Sequence, residues 1–368
     1  MAIIYGYSAL KIVEAMGIFM ENENKLDAQA SSINFQNVSL DENLATILGN
    51  ASNAAYLDFT KQPFLQTLVS GNERYDYHDR FYGLDNAPWG TGAKEKFGLI
   101  YKKHNDPTTV LFAFRGTASI LDAFKDIESI GVTPFVPHSP QPSFPTNVDV
   151  GNGFFDIYSG SNAMLPDSMQ SQLFKQLSVL KPKHIITTGH SLGCPLASLF
   201  TLDVAVCQPT HSPVQLTNIN FASPRVGKDA WSVAYDRYVS NGAKSGMPEN
   251  VTIRIVNYPD AVPMLPPSSL SFKHVGKQFL VAFDIFKVPR WWDKYNYVDY
   301  VLSWHSLNNY QTVVNHAVVN TPQTWGGKFQ DAPLKKWEMV SHDLSKHQST
   351  PKSDFLHGEM MKQQTEND

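Results

Sequence analysis

The stretch Thr187–Pro195 reads TTGHSLGCP. Ser191 stands between Gly189 and Gly193, after the apolar run HIITT (184–188) and before the small-residue segment LASLF (196–200). G-x-S-x-G between a predicted strand and a predicted helix is the context of a sharp strand-to-helix turn. Such a turn tolerates only small neighbours, which the two glycines supply. It lifts the serine hydroxyl to the carboxyl end of a sheet, where the free N–H groups of a helix N-terminus face any oxyanion that develops. Pro195 falls in the first helical turn, where a missing N–H costs little.

A serine hydroxyl is a weak nucleophile and needs a base, and the base needs an orienting acid. In this architecture the chain order is Ser, then Asp or Glu, then His. The run VTIRIV (251–256) is followed by NYPDAVPMLPP (257–267), which puts Asp260 in a proline-bracketed loop past a strand end. Asp203 would lie on the serine's own helix and point elsewhere. Asp284 and Asp293 lack this setting. Three histidines follow: His274, His305 and His316. Position alone leaves all three open, with His305 foremost because SWHSLNNY places it at a loop-to-helix junction beside Ser306 as a possible cap.

Further strands are predicted at FGLIY (97–101) and VLFAF (110–114), a hairpin around KKHNDPTT, and at INFAS (219–223) and QFLVAF (278–283). Helical patterns are predicted over Asp167–Leu180, Ser191–Cys207 and Asp229–Val239. An earlier one, carrying Leu44, Ile47, Leu48 and Ala51 on one stripe and running through Ala54, Ala55 and Tyr56, opens at a capping box, Ser39-Leu40-Asp41-Glu42. Strands alternating with helices imply an α/β fold with a mostly parallel central sheet covered on both faces, and the early hairpin makes the sheet mixed.

The chain has 368 residues, 42% hydrophobic and 17% charged, which is a globular composition with ample core material. A formal net charge of −4 without a basic patch argues against nucleic acid as a partner. The two cysteines, Cys194 and Cys207, would share one helix about 20 Å apart, beyond the reach of about 7 Å that a disulfide allows. Two free thiols fit a bacterial or intracellular protein better than a eukaryotic secreted one. The N-terminus, MAIIYGYSALKIVEAM, lacks a basic n-region and a small-residue cleavage site, so no signal peptide is expected. No apolar run reaches about 18 residues, so no membrane-spanning helix is expected. The compartment stays open between bacterial export and the cytoplasm.

Several ordered motifs resemble the class 3 lipases, the family of fungal triacylglycerol lipases and their bacterial relatives, from about Ala51 to about Tyr310. FAFRGTASI (112–120) resembles the strand ending in an oxyanion-hole turn. NGFFDIY (152–158) looks like the helix start before the nucleophile strand, and TTGHSLGCPLA (187–197) is similar to the nucleophile elbow. NFASPRVG (220–227) and IVNYPDAVPMLPP (255–267) look like the two strand-end segments after it. HVG (274–276) and HSLNNY (305–310) look like the closing pair. The resemblance implies an α/β-hydrolase fold with a helical lid, Ser191 as nucleophile, Asp260 as orienting acid and His305 as base. His274 falls in a segment that is structural in the family. The oxyanion hole would use the backbone N–H groups of Leu192 and Thr117, with the Thr117 hydroxyl. Cys194 stands where the family usually has a second glycine, so crowding of the helix–strand contact is expected there.

After Thr117, ASILDAFKDIESIG places Ile120, Phe124 and Ile127 at helical spacing with Leu121 and Ile130 beside them. By resemblance this amphipathic segment is the lid, about 118–131, whose apolar face covers the serine in water and is exposed at a lipid surface. The aperiodic, proline-rich run 131–152 is too long for an ordinary connector, so it is either functional or mobile, and it would be part of the cover or its tether. Trp291, Trp292, Tyr295, Tyr297, Tyr300 and Trp304 suit an apolar–wet interface or a packed helix equally. The organisation expected is one hydrolase domain over 1–332 and a polar extension over 333–368.

The expected function is hydrolysis of lipid esters, foremost triacylglycerols at a lipid–water interface, without metal or cofactor. Phospholipase A1 or a feruloyl-type esterase on the same scaffold is the alternative, and a catalytically dead lipid-binding homologue is the reading from another class. Oligomeric state is not legible.

Overall fold

The run VLFAF decides the centre of the sheet. In the computed structural model, which describes residues 40–85, 92–117, 131–208, 214–242, 249–257, 260–281, 305–308 and 310–311, it lies in β4 (Asp106–Phe114). β3 (Lys94–Lys103) pairs with β4 antiparallel, as the hairpin reading requires. Two strands not anticipated precede them, β1 (Thr67–Ser70) and β2 (Glu73–Leu84), both antiparallel. On the other side of β4 every pairing is parallel: β7 (His184–His190), β8 (Gln215–Phe221), β9 (Val251–Asn257) and β10 (Lys277–Val281). The eight-stranded order is β1-β2-β3-β4-β7-β8-β9-β10, a mixed sheet that is parallel where the nucleophile sits.

Successive side chains of a strand point to opposite faces, and β4 feeds two cores. Val110, Phe112 and Phe114 belong to one apolar cluster, and Leu111 and Ala113 to the other. Helix α1 (Glu42–Phe59) covers the second face with Ile47, Leu48, Ala51, Ala54 and Ala55. Its cap is Asp41 rather than Ser39: the carboxylate accepts the Leu44 N–H at 2.7 Å. The helix therefore begins at Glu42, where an acidic residue also suits the positive end of the macrodipole.

The first face is covered by α2 (Asn152–Ser159), α3 (Met169–Leu180), α4 (Gly193–Cys207) and α5 (Asp229–Tyr235). Helix α3 starts two residues later than its pattern suggests, because Ser168 caps it by accepting the Ser171 N–H. The α5 pattern runs on through Asp236–Ser240 as a π-helical turn. Helix α4 is buried on nearly every side and mostly apolar, as suits a helix between layers, and its few polar side chains, such as Asp203, are buried with it. It carries both cysteines, and both are free thiols.

The run 131–152 is laced to this face. β5 (Val132–Pro134) pairs with β6 (Asp149–Gly151), and Phe135, Phe144, Val148 and Val150 are buried. The backbone N–H of His138 donates to Asp203 at 2.7 Å, and Gln170 and Tyr158 donate to the same carboxylate at 2.7 and 2.8 Å. Asp203 is thus a buried structural tie, away from the serine. The lid segment with Ile120, Leu121, Phe124 and Ile127 lies outside the described residues. So do His316, the aromatic stretch 286–304, the first 39 residues and the extension 333–368. Among the described residues no helix is long and apolar enough to cross a membrane.

Candidate active site

Ser191 ends the turn between β7 and α4 with φ at +56°. A side chain in the left-handed region is strained, and such strain persists only where the surroundings impose it. The surroundings here are the two glycines. A Cβ on Gly189 would lie 2.8 Å from the Cys194 nitrogen, and one on Gly193 would lie 2.8 Å from the Arg115 carbonyl oxygen. The turn is closed by the Ser191 N–H donating to the Phe221 carbonyl on β8 at 3.1 Å and the Cys194 N–H donating to the Ser191 carbonyl at 3.0 Å.

Cys194 does not crowd this corner. Its thiol is buried, 3.2 Å from the Gly189 carbonyl oxygen and 3.0 Å from that of Phe221, so it ties the ends of β7 and β8. Burial pushes the thiol pKa well above its ordinary value, which suits a tie and not a nucleophile.

Asp260 follows β9 and is fixed in its loop by its N–H donating to the Asn257 carbonyl at 2.9 Å. One carboxylate oxygen, Oδ1, accepts the Val262 N–H at 3.0 Å. The other, Oδ2, lies 2.8 Å from Nδ1 of His305 and accepts the Tyr310 hydroxyl at 2.7 Å. All three side chains are buried. With Nδ1 donating to the carboxylate, the hydrogen of the His305 ring sits on the Asp260 side and Nε2 is on the far side of the ring. The His305 ring packs against that of His190, the residue before Ser191, with centroids 4.7 Å apart.

His274 goes elsewhere. Its Nε2 donates to the Pro263 carbonyl at 2.8 Å and so braces the Asp260 loop. Burial, with the guanidinium groups of Arg254 and Arg225 nearby, holds its pKa well below the ordinary range, so it is neutral.

The turn after β4 reaches the elbow from the other side. A Cβ on Gly116 would lie 2.6 Å from the His190 carbonyl oxygen and 2.9 Å from the Ser191 Cβ, so only glycine lets the two turns touch. Thr117 is the next residue. Leu192, with helical dihedrals, caps α4 and sets its N–H at the helix N-terminus. Arg115 anchors this turn. Its buried guanidinium donates to the Gly116 carbonyl at 2.8 Å and the Lys96 carbonyl at 2.6 Å, pairs with Glu95, and stacks on the Phe59 ring at 3.7 Å.

The sequence reading gave no role to Arg115, Tyr310, Tyr56 or His190. Arg115 and His190 each sit inside a quoted motif, and Tyr310 comes five residues after His305. A charged residue wedged between an apolar strand and a glycine was the available signal for Arg115. Tyr310 and Tyr56 gave none, since a tyrosine at a helix position reads as ordinary core.

Residues 111–270 match the family model described as Lipase (class 3). A lipase of Rhizomucor miehei is 33% identical over 194 residues, which is 53% of this chain and 47% of that protein. Phospholipase A1-II 3 of Oryza sativa subsp. indica is 30% identical over 186 residues, 47% of this chain and 42% of that protein. The chain thus spans less than half the length of these two relatives. The nonglycosylated LIP2 lipase of Yarrowia lipolytica superposes with a TM-score of 0.51 at 18% identity, over 67% of this chain and 81% of that one, a likeness of fold. The α/β-hydrolase architecture read from the sequence is the architecture found.

Proposed function

We propose that this chain, whose residues 111–270 match the class 3 lipase family model, is a serine hydrolase of lipid esters. The observation that carries the proposal is the buried His305–Asp260 pair, 2.8 Å apart, packed against the residue that precedes a left-handed Ser191. Ser191 Oγ attacks the ester carbonyl while His305 takes its proton. Asp260 holds the imidazole in the right tautomer and stabilises the imidazolium. The N–H groups of Leu192 and Thr117, with the Thr117 hydroxyl, receive the oxyanion, and one such donor is worth about 2.7–4 kcal/mol. His305 then protonates the departing alcohol. Water, deprotonated by the same base, releases the fatty acid from the acyl-enzyme.

The substrate class proposed is triacylglycerol presented at a lipid–water interface, with the segment carrying Ile120, Leu121, Phe124 and Ile127 as lid. The phospholipase A1 reading is kept beside it because a rice relative of similar identity carries that name. One experiment separates them. Hydrolysis of tributyrin is followed from below to above its solubility limit, beside phosphatidylcholine vesicles, with Ser191→Ala as control. A sharp rise as droplets form, with slow release from phosphatidylcholine, is the expected result. Faster fatty-acid release from the sn-1 position of the phospholipid selects the second reading. A smooth saturating tributyrin curve removes the lid from the account.

A further inference from the structure

His190 takes no part in the acyl transfer above, yet it is buried one residue before the nucleophile with both ring nitrogens engaged. Nε2 lies 2.8 Å from the backbone carbonyl oxygen of His305, and Nδ1 lies 2.9 Å from the Tyr56 hydroxyl of α1. A carbonyl only accepts, so Nε2 carries the hydrogen. Burial, reinforced by the His305 ring, holds the His190 pKa well below its ordinary range, so the ring is neutral and Nδ1 is bare. The Tyr56 hydroxyl therefore donates to Nδ1. The bonds run in one direction, from Tyr56 through His190 to the backbone of His305.

Helix α1 supports the same segment in other ways. Leu307 and Tyr310 pack into the core that α1 covers, and Gln311 donates to Asn50 at 2.9 Å. The carboxylate of Asp260 fixes the His305 ring from the Nδ1 side, and that bond alone leaves its backbone free to slide.

We propose that Tyr56 and His190 are positioning residues for His305: a two-bond relay that locks the backbone of the general base to α1 and keeps an uncharged ring against the imidazolium that forms in turnover. The proposal rests on the reading of His305 as base. A displacement of about 1 Å in a catalytic group costs up to about 100-fold in rate, so holding the backbone bears on kcat. A positive charge on His190, at 4.7 Å between centroids, would oppose the charge His305 must acquire.

The test uses the full chain with p-nitrophenyl butyrate below its solubility limit. The variants are Tyr56→Phe, His190→Phe, the double variant and His190→Gln, whose amide can donate to the His305 carbonyl and accept from Tyr56. Tyr56→Phe and His190→Phe are each expected to lower kcat by about 10- to 100-fold at unchanged KM. The double variant should be no slower than the worse single one, as for two residues acting through one path. His190→Gln should recover most of the rate. A merely structural role would lower the melting temperature and leave kcat of the folded fraction intact. A ¹⁵N-histidine spectrum of the wild-type protein reads the relay without turnover: His190 should be neutral and protonated on Nε2. Folded Tyr56→Phe with wild-type kcat would overturn the proposal, as would losses that multiply in the double variant, or a His190 protonated on Nδ1. Absence of wild-type turnover would instead fail the hydrolase reading, and the His190 tautomer would still decide the relay.

Discussion

Asp260 and His305 meet through Oδ2 and Nδ1 at 2.8 Å, 45 residues apart in the chain and both out of reach of solvent. Neither would be placed by its own segment. The loop after β9 brings Asp260, and Tyr310, donating to the same oxygen at 2.7 Å, ties in the segment that carries His305. The carboxylate also takes the Val262 N–H, so its orientation is set from three sides.

Replacing the acid should therefore leave a folded and nearly inactive protein. Asp260→Asn keeps the shape but presents an amide that can stabilise the wrong imidazole tautomer. A fall in kcat of about 10⁴-fold is expected, the loss typical of this substitution in a serine triad. Steady-state kinetics on a soluble ester, with circular dichroism for the fold, checks it.

Tyr310→Phe should act on stability and activity together. The Tyr310 hydroxyl donates to Asp260 and accepts the Asn257 N–H at 2.9 Å, so its removal leaves a buried donor and a buried acceptor short of a partner. A cost of about 1–3 kcal/mol is expected, read as a lower urea midpoint at constant slope. The drop in kcat should be smaller than that of Asp260→Asn.

Much of this site was legible in the sequence because its parts obey strong local rules. Two glycines around a serine after an apolar run leave few conformations; Ser191 and Asp260 were named from order and setting, while His305 was singled out among three histidines by the family resemblance, and the structure joins it to Asp260. What was missed depends on tertiary partners. Strand β2, ERYDYHDRFYGL, carries charge along most of its length because it lies near the sheet margin, so no apolar alternation marks it. The α1 cap is Asp41, two residues inside the expected box, where its carboxylate accepts the Leu44 N–H. Arg115 and His190 sit in motifs whose neighbours drew the attention. Their roles arise from Phe59 and Tyr56, more than 50 and 130 residues earlier in the chain, and no spacing rule reaches that far.

The two thiols should resist alkylation in the folded protein. Burial pushes the pKa of Cys194 well up, and burial with the Asp203 carboxylate pushes that of Cys207 up to about 12. The thiolate is the reactive form, so iodoacetamide at pH 8 should modify neither until urea is added. Rapid modification of Cys194 in the native state would contradict the packing described for the elbow.

Acid should destabilise the fold as histidines charge. His190 and His274 are held neutral with pKa values well below their ordinary range. Below about pH 6.5 the unfolded chain binds protons that the folded chain refuses, so stability falls as pH drops. Each such group contributes a slope approaching about 1.4 kcal/mol per pH unit. Urea midpoints between pH 7 and pH 5 check this, and His190→Gln should flatten the dependence by one histidine's share.

The most direct test of the central claim is reaction of the intact protein with a fluorophosphonate, followed by peptide mass spectrometry. A nucleophile activated by His305 and served by an oxyanion hole should yield a single adduct, on Ser191. Asp260→Asn should slow its formation, and Ser191→Ala should abolish both the adduct and ester hydrolysis. A folded protein that forms no adduct, an adduct on another residue, or a Ser191→Ala variant that still hydrolyses esters within tenfold of the wild-type rate would contradict it.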